Sequence, residues 1–257
     1  MRGLASLLLV ASLAGCAGMG ERRAELADIN YRLGVGYFQQ GDYATAVDKL
    51  RRAERLQPER VDVLMVLGLS QQALGHFDRA EAAYRRALEV LEGEEVDPAA
   101  LALAGEVHNN YGVLLCAQGR VEEAEAHFRA ALREPDYRTP AAAWENLGLC
   151  ALRAGRERQA EAALRQALAL EPERRPSLTA LARLAWERGD APAARRYLRR
   201  ARLHDRLSPA ELALAVDVER ALGDEAAARA LENELLQYYP DSPQAARVKP
   251  SEKDITP

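Results

Sequence analysis

Aromatic side chains are scarce, with 2 Trp, 9 Tyr and 3 Phe among 257 residues. Val, Ile and Thr are sparse as well, whereas Ala, Leu, Arg and Glu dominate, so the chain favours helix over strand throughout. The small or apolar run from Gly3 to Ala14 is the longest, and it falls short of the roughly 20 residues that cross a bilayer. Positive charge is not in excess: 35 Lys and Arg face 39 Asp and Glu, a net charge of −4. That balance argues against a nucleic-acid surface, which needs basic clustering. The signs alternate along the chain, as on solvated helix faces. The four histidines, His76, His108, His127 and His204, form no His-Glu-x-x-His pattern and no finger spacing with cysteine. A Gly-rich phosphate loop and a Gly-x-Ser-x-Gly elbow are also missing. No metal site or catalytic set follows from these residues, and an enzyme is not expected.

What the chain does have is glycine at a fixed interval. Gly41, Gly75, Gly119, Gly155, Gly189 and Gly223 stand 34, 44, 36, 34 and 34 residues apart, each between two helical stretches. A helix-turn-helix unit with a period of about 34 is the tetratricopeptide template. The first copy supplies Leu33, Gly34, Tyr37, Ala46, Leu50 and Ala53, and the second Leu67, Gly68, Ala80, Tyr84 and Ala87. Tyr111, Gly112, Ala124, Phe128 and Ala131 make the third, and Trp144, Leu147, Gly148, Ala160, Leu164 and Ala167 the fourth. A fifth runs through Leu181, Ala182, Ala194, Leu198 and Ala201, and a degenerate sixth keeps Gly223 and Pro240. Such pairs cannot bury their apolar faces alone, so they stack. The expected fold is all-α: a right-handed tetratricopeptide-repeat superhelix of six helix pairs with a concave side.

The repeats fall at 27–60, 61–94, 105–140, 141–174, 175–208 and 209–241, with an insertion at 95–104. Within the insertion, Asp97-Pro98 reads as an N-cap followed by proline at the first helical position. The first helix of repeat three is therefore expected to start near Pro98; a flexible loop over Glu92 to Glu95 is compatible with that. Glu92, Glu94, Glu95 and Asp97 read as a solvated acidic turn, the alternative being a cation site of a concealed enzyme. Residues 16–26 read as a short tether and 242–257, with Pro243, Pro250 and Pro257, as a disordered tail. His108 holds the position of Trp144 and is expected to pack.

The amino terminus has a different logic. Arg2, the apolar run and the small residues before position 16 make a secretory signal peptide over 1–15. Its end, Leu13-Ala14-Gly15-Cys16, resembles the lipobox of bacterial lipoproteins. That resemblance implies cleavage before Cys16, a diacylglycerol on its thiol and an acylated amine, which together give durable attachment where one chain would not. The mature chain would carry 34 basic and 39 acidic side chains, a net charge of −5. Ala17, in place of the Asp that retains lipoproteins at the inner membrane, implies the periplasmic face of the outer membrane.

Two cysteines remain, Cys116 and Cys150, on the first helices of consecutive repeats. In an oxidising compartment they suit a disulfide, and they also suit two small buried apolar residues. Partner binding is expected on the concave face, at Tyr31, Arg32, Phe38, Met65, Leu69, Asn109, Asn110, Glu145 and Asn146. The amides of Asn110 and Asn146 are suited to an extended peptide backbone, or else to neighbouring helix groups.

The stretches Asn109-Asn110-Tyr111-Gly112-Val113-Leu114-Leu115-Cys116 and Glu145-Asn146-Leu147-Gly148-Leu149-Cys150 resemble the pilotin lipoproteins of type IV pilus biogenesis, the PilF and PilW family. The likeness extends from the mature start to about Pro240, and the insertion departs from the family's even spacing. It implies both cysteines as a bridging pair and a non-enzymatic adaptor without cofactor, apart from the covalent lipid. It also implies a protein partner, the secretin subunit, helped to reach or multimerise in the outer membrane. A general cell-envelope scaffold for outer-membrane protein assembly or murein synthesis is the alternative.

Overall fold

The computed structural model describes residues 4–203 and 206–248, with side chains from Met19 onward. Fourteen helices and no strand occur among the described residues. They form two compact units, Met1–Thr139 and Pro140–Pro257.

In the first unit α1 (Leu4–Gln39) pairs with α2 (Tyr43–Leu56), α3 (Val61–Ala73) with α4 (Phe77–Leu91), and α6 (Ala104–Ala117) with α7 (Val121–Ala131). The one-turn helix α5 (Pro98–Leu101) precedes the third pair. In the second unit the pairs are α8 (Pro140–Arg153) with α9 (Glu157–Leu170), α10 (Arg175–Glu187) with α11 (Ala191–Ala201), and α12 (Pro209–Ala221) with α13 (Glu225–Tyr238); α14 (Pro243–Val248) follows. This is the tetratricopeptide arrangement of helical hairpins.

Each hairpin turns on one of the six periodic glycines, whose φ values lie between 71° and 79°. A side chain would be strained there, which is why the sequence repeats glycine at this point. The following helix often begins on an aspartate: Asp42, Asp190 and Asp224 each accept a hydrogen bond from the N–H three residues on. Second helices bury a narrow stripe, such as Ala80, Ala83, Tyr84 and Ala87 on α4. First helices are covered on more sides; α3 buries Val61, Val63, Leu64, Val66, Leu67, Gly68, Ser70 and Gln71.

Close approach within a pair is fixed by two complementary choices. A Cβ on Gly68 would lie 2.6 Å from Tyr84 Cε1, and one on Gly112 would lie 2.7 Å from Phe128 Cε1. Both rings are fully buried, so the missing side chain of one helix is the socket for the aromatic of the other. Burying such a ring stabilises by about 3 kcal/mol.

Among the connecting parts, two expectations are revised, the start of repeat three and the tail. The short tether at 16–26 is helical, because α1 runs unbroken from Leu4 to Gln39. At about 1.5 Å per residue a helix spans less than half the distance of extended chain. The first helix of repeat three does not start at Pro98. Asp97 does cap Ala99 and Pro98 does open a helix, but the chain tightens at Leu103, whose N–H bonds to Ala100 O, and restarts at Ala104. There Gly105 admits the Tyr137 ring, 2.5 Å from where a Cβ would be. The stretch after Pro240 is not wholly irregular: Ser242 caps α14 by accepting from Ala245 N, and Ala245 is fully buried. Residues 249–257 lie outside the described set, as do His204 and the side chain of Cys16. The degenerate sixth pair opens on a reciprocal capping box between Ser208 and Glu211.

Candidate protein-interaction faces

In the first unit, the first helices α1, α3 and α6 present the expected partner residues. Tyr31, Phe38 and Met65 are partly buried and pack on one cluster with Val47, Leu50 and Val66. Phe38 also meets the Tyr43 ring at 5.5 Å between centroids. Leu69, Asn109 and Asn110 are half-buried, and Arg32 is exposed and ion-paired with Asp28 at 2.7 Å. Arg60, at the N-cap of α3, lies 4.8 Å above the Tyr31 ring and grips Asp62 at 2.5 Å and 3.0 Å. Burial and the Asp62 carboxylate push the Tyr31 phenol above its ordinary range. Beside this pair, Arg60 and Asp62 share a cavity of about 400 Å³ with Asp97 and Leu103, so the insertion forms one of its walls.

In the second unit Asn146 is half-buried, and Glu145 departs from expectation. It is only 6% exposed. Its carboxylate accepts from Arg174 at 3.0 Å and from Ser177 Oγ at 2.8 Å, so it is occupied within the unit rather than offered to a partner. A buried carboxylate needs such partners to stay charged. The same device recurs one pair later. Glu211 accepts from Arg175, Thr179 Oγ1 and Ser208 N, at 2.5, 2.6 and 2.7 Å, and these contacts hold its carboxyl down at about 2 despite burial. Arg60 and Arg174 occupy equivalent N-cap positions, a recurrence visible in the sequence that marks them as clamps between successive first helices.

Two further networks were not foreseen. Tyr111 donates to Glu81 at 2.9 Å and accepts from Arg85 at 3.1 Å, while Arg120 binds Glu81 at 2.8 Å. His108 does pack, but against His127, with their Nδ1 atoms 2.9 Å apart and the His127 ring 4.4 Å from Tyr111. Burial, then the charge of His127, lowers His108 to about 4; burial also lowers His127. His76 bonds Gln71 in its turn at 3.0 Å. Asp97 of the acidic turn is used as a cap, and no group of three or more potential metal ligands occurs among the described residues. Cys116 and Cys150 are both buried and each is disulfide-bonded.

Helical hairpins turning on periodic glycine, socketed by glycine and aromatic or leucine, define a tetratricopeptide-repeat scaffold. Models of the tetratricopeptide repeat match residues 31–89, 103–173 and 176–200. The type IV pilus assembly protein PilF of Pseudomonas aeruginosa is 29% identical over 198 residues, which cover 74% of this chain and 75% of that protein. The crystal structure of PilW, a widely conserved type IV pilus biogenesis factor, is 30% identical with a TM-score of 0.74, covering 86% of this chain and 97% of PilW. The solved structure of Pseudomonas aeruginosa pilF also gives a TM-score of 0.74, at 26% identity over 88% of this chain and 97% of its own. The chain belongs to the PilF and PilW family of type IV pilus biogenesis proteins.

Proposed function

We propose that this protein is a pilotin: an outer-membrane lipoprotein that binds the type IV pilus secretin subunit and promotes its localisation and multimerisation. The observation that carries this reading is kinship with PilW over most of both chains, joined to the Leu13-Ala14-Gly15-Cys16 signal. In this reading Cys16 bears the diacylglyceryl and acyl groups, and Ala17 directs the chain to the periplasmic face of the outer membrane. The role is non-enzymatic and uses no cofactor beyond that lipid. Cys116 and Cys150 bridge to each other, since Cys16, the third cysteine in the chain, is acylated.

The partner is taken on the first-helix faces by Tyr31, Phe38, Met65 and Leu69, with amide contacts from Asn109, Asn110 and Asn146. Apolar side chains flanked by backbone-reading amides suit an extended segment of polypeptide. Fractionating cells that carry Cys16→Ser tests the sorting half: secretin rings should fail to reach the outer membrane normally, and normal delivery would refute it. Pull-down of the secretin with Asn110→Arg and Asn146→Arg tests the binding half. Undiminished capture would remove these faces from the account.

A further inference from the structure

A hollow flanked by arginines lies in the second unit, where the second helices α11 and α13 meet α12. Helix α11 carries Arg195, Arg196, Arg199 and Arg200 and no acid, in a chain of net charge −4. Beside it, a half-open cavity of about 200 Å³ sits between α11, α12 and α13. Its floor is apolar, made by Leu198, Leu207, Ala215, Val218 and Leu231, while Arg195, Arg199, Arg202 and one carboxylate, Glu219, stand in its walls. A closed apolar cavity of about 150 Å³ holds a benzene ring, so this half-open hollow has room for a single leucine or phenylalanine side chain over its apolar floor.

The guanidinium groups are unequally committed. Arg195 is committed, bound to Glu219 with Asp224 3.7 Å away. Arg202 is paired with Glu234 at 2.5 Å. The side chain of Arg199 is 67% exposed, and its nearest carboxylate, Glu219, is 4.0 Å away, too far for a good hydrogen bond. An under-used guanidinium at the mouth of an apolar hollow calls for an anionic acceptor.

We propose that this cavity binds an acidic, apolar segment of a partner polypeptide: one large apolar side chain enters the hollow and a flanking carboxylate meets Arg199. A bilayer surface fits less well, because the apolar floor is recessed between helices, where one side chain reaches it and a flat sheet of lipid does not. The inference stands on its own geometry and does not need the secretin reading.

The test uses the full chain and a capped, fluorescein-labelled pentapeptide, Glu-Asp-Leu-Asp-Glu, followed by anisotropy. Binding is expected, and it should weaken as salt rises. Arg199→Glu should reduce affinity by at least about tenfold, as a loss at the centre of a small interface does. Ala230→Phe, at an exposed rim position, plugs the hollow without altering charge and should reduce it comparably, with the circular dichroism spectrum unchanged. Replacing the peptide leucine by alanine should match that loss without touching the protein. Affinity weaker than about 1 mM for the parent peptide would overturn the proposal. So would binding that ignores Ala230→Phe and the peptide alanine. Binding of phosphatidylglycerol vesicles that depends on Arg199 but ignores Ala230→Phe, with the peptide inert, would assign the face to membrane instead.

Discussion

Replacing Glu211 by glutamine isolates a single buried carboxylate whose contribution can be worked out from its surroundings. Its carboxyl falls from the ordinary 4.5 to about 2 because Arg175, Thr179 and Ser208 all donate to the ionised form. At about 1.36 kcal/mol per tenfold change in acidity, this amounts to about 3 kcal/mol of folding stability at neutral pH. Arg175 has a side chain 27% exposed, so solvent screening lowers the figure to about 2 kcal/mol. The sign follows from the folded value lying below the unfolded one. The stabilisation is complete above 4.5 and is lost as pH falls toward about 2. Urea unfolding followed by tryptophan fluorescence reports the right region, because Trp144 and Trp186 both lie in the second unit. Glu211→Gln should be less stable than the parent by about 2 kcal/mol at neutral pH, with the difference shrinking to nothing in strong acid. A difference that stays constant across that range would refute the electrostatic reasoning and leave only altered packing.

Three other perturbations follow from the same structure. Phe128→Ala empties the socket beneath Gly112 and should cost about 3–5 kcal/mol in denaturant unfolding; a cost below about 1 kcal/mol would mean that the hairpin collapses around the gap. The His108–His127 pair is held neutral in the fold, with His108 lowered from 6.5 to about 4, so its stabilisation is present above 6.5 and lost as pH falls toward about 4. After allowance for partial exposure, the parent should lose about 1–2 kcal/mol over that window relative to a His108→Leu, His127→Leu double variant, followed by circular dichroism. Gly223→Ala forces a side chain into φ 75°, and thermal unfolding should show a loss of about 1 kcal/mol.

The repeat was legible because its two signals are local. A left-handed turn admits glycine, and a helix pressed against Tyr84 or Phe128 admits glycine as well, so the period and the sockets are written in residue type alone. The cap at Asp97 was equally plain. Partnerships between distant polar groups were not, since periodicity reports that a position is covered and says nothing of what covers it. Glu145 stood at a face position and read as a contact for a partner; only folding brings Arg174, 29 residues later, onto its carboxylate. His108 was placed correctly as a packed residue by analogy with Trp144, yet its hydrogen bond depends on His127 from the facing helix. The break before Ala104 escaped because Pro98 gives a valid helix start, while the reason to restart lies with Tyr137, far along the chain. α14 escaped because three prolines in the last stretch masked one buried turn around Ala245.

The distribution of charge assigns different recognition chemistry to different surfaces. On the first-helix faces, the strong ions are already spent: Asp62 on Arg60, Glu145 on Arg174, Glu211 on Arg175. The last two join successive first helices, while Arg60–Asp62 closes the start of α3, and such internally satisfied pairs favour rigidity over availability. What remains there for a partner is mainly uncharged, in the rings and thioether of Tyr31, Phe38 and Met65 and in the amide of Asn110, with the exposed Arg32–Asp28 pair beside them. Binding by these groups discriminates by shape and backbone hydrogen bonding, which suits an adaptor that must hold one particular polypeptide segment. Around α11 the reverse holds, because its arginines outnumber the acids within reach and one of them is left under-used. Long-range attraction of an acidic partner belongs to that surface, and close fitting to the others.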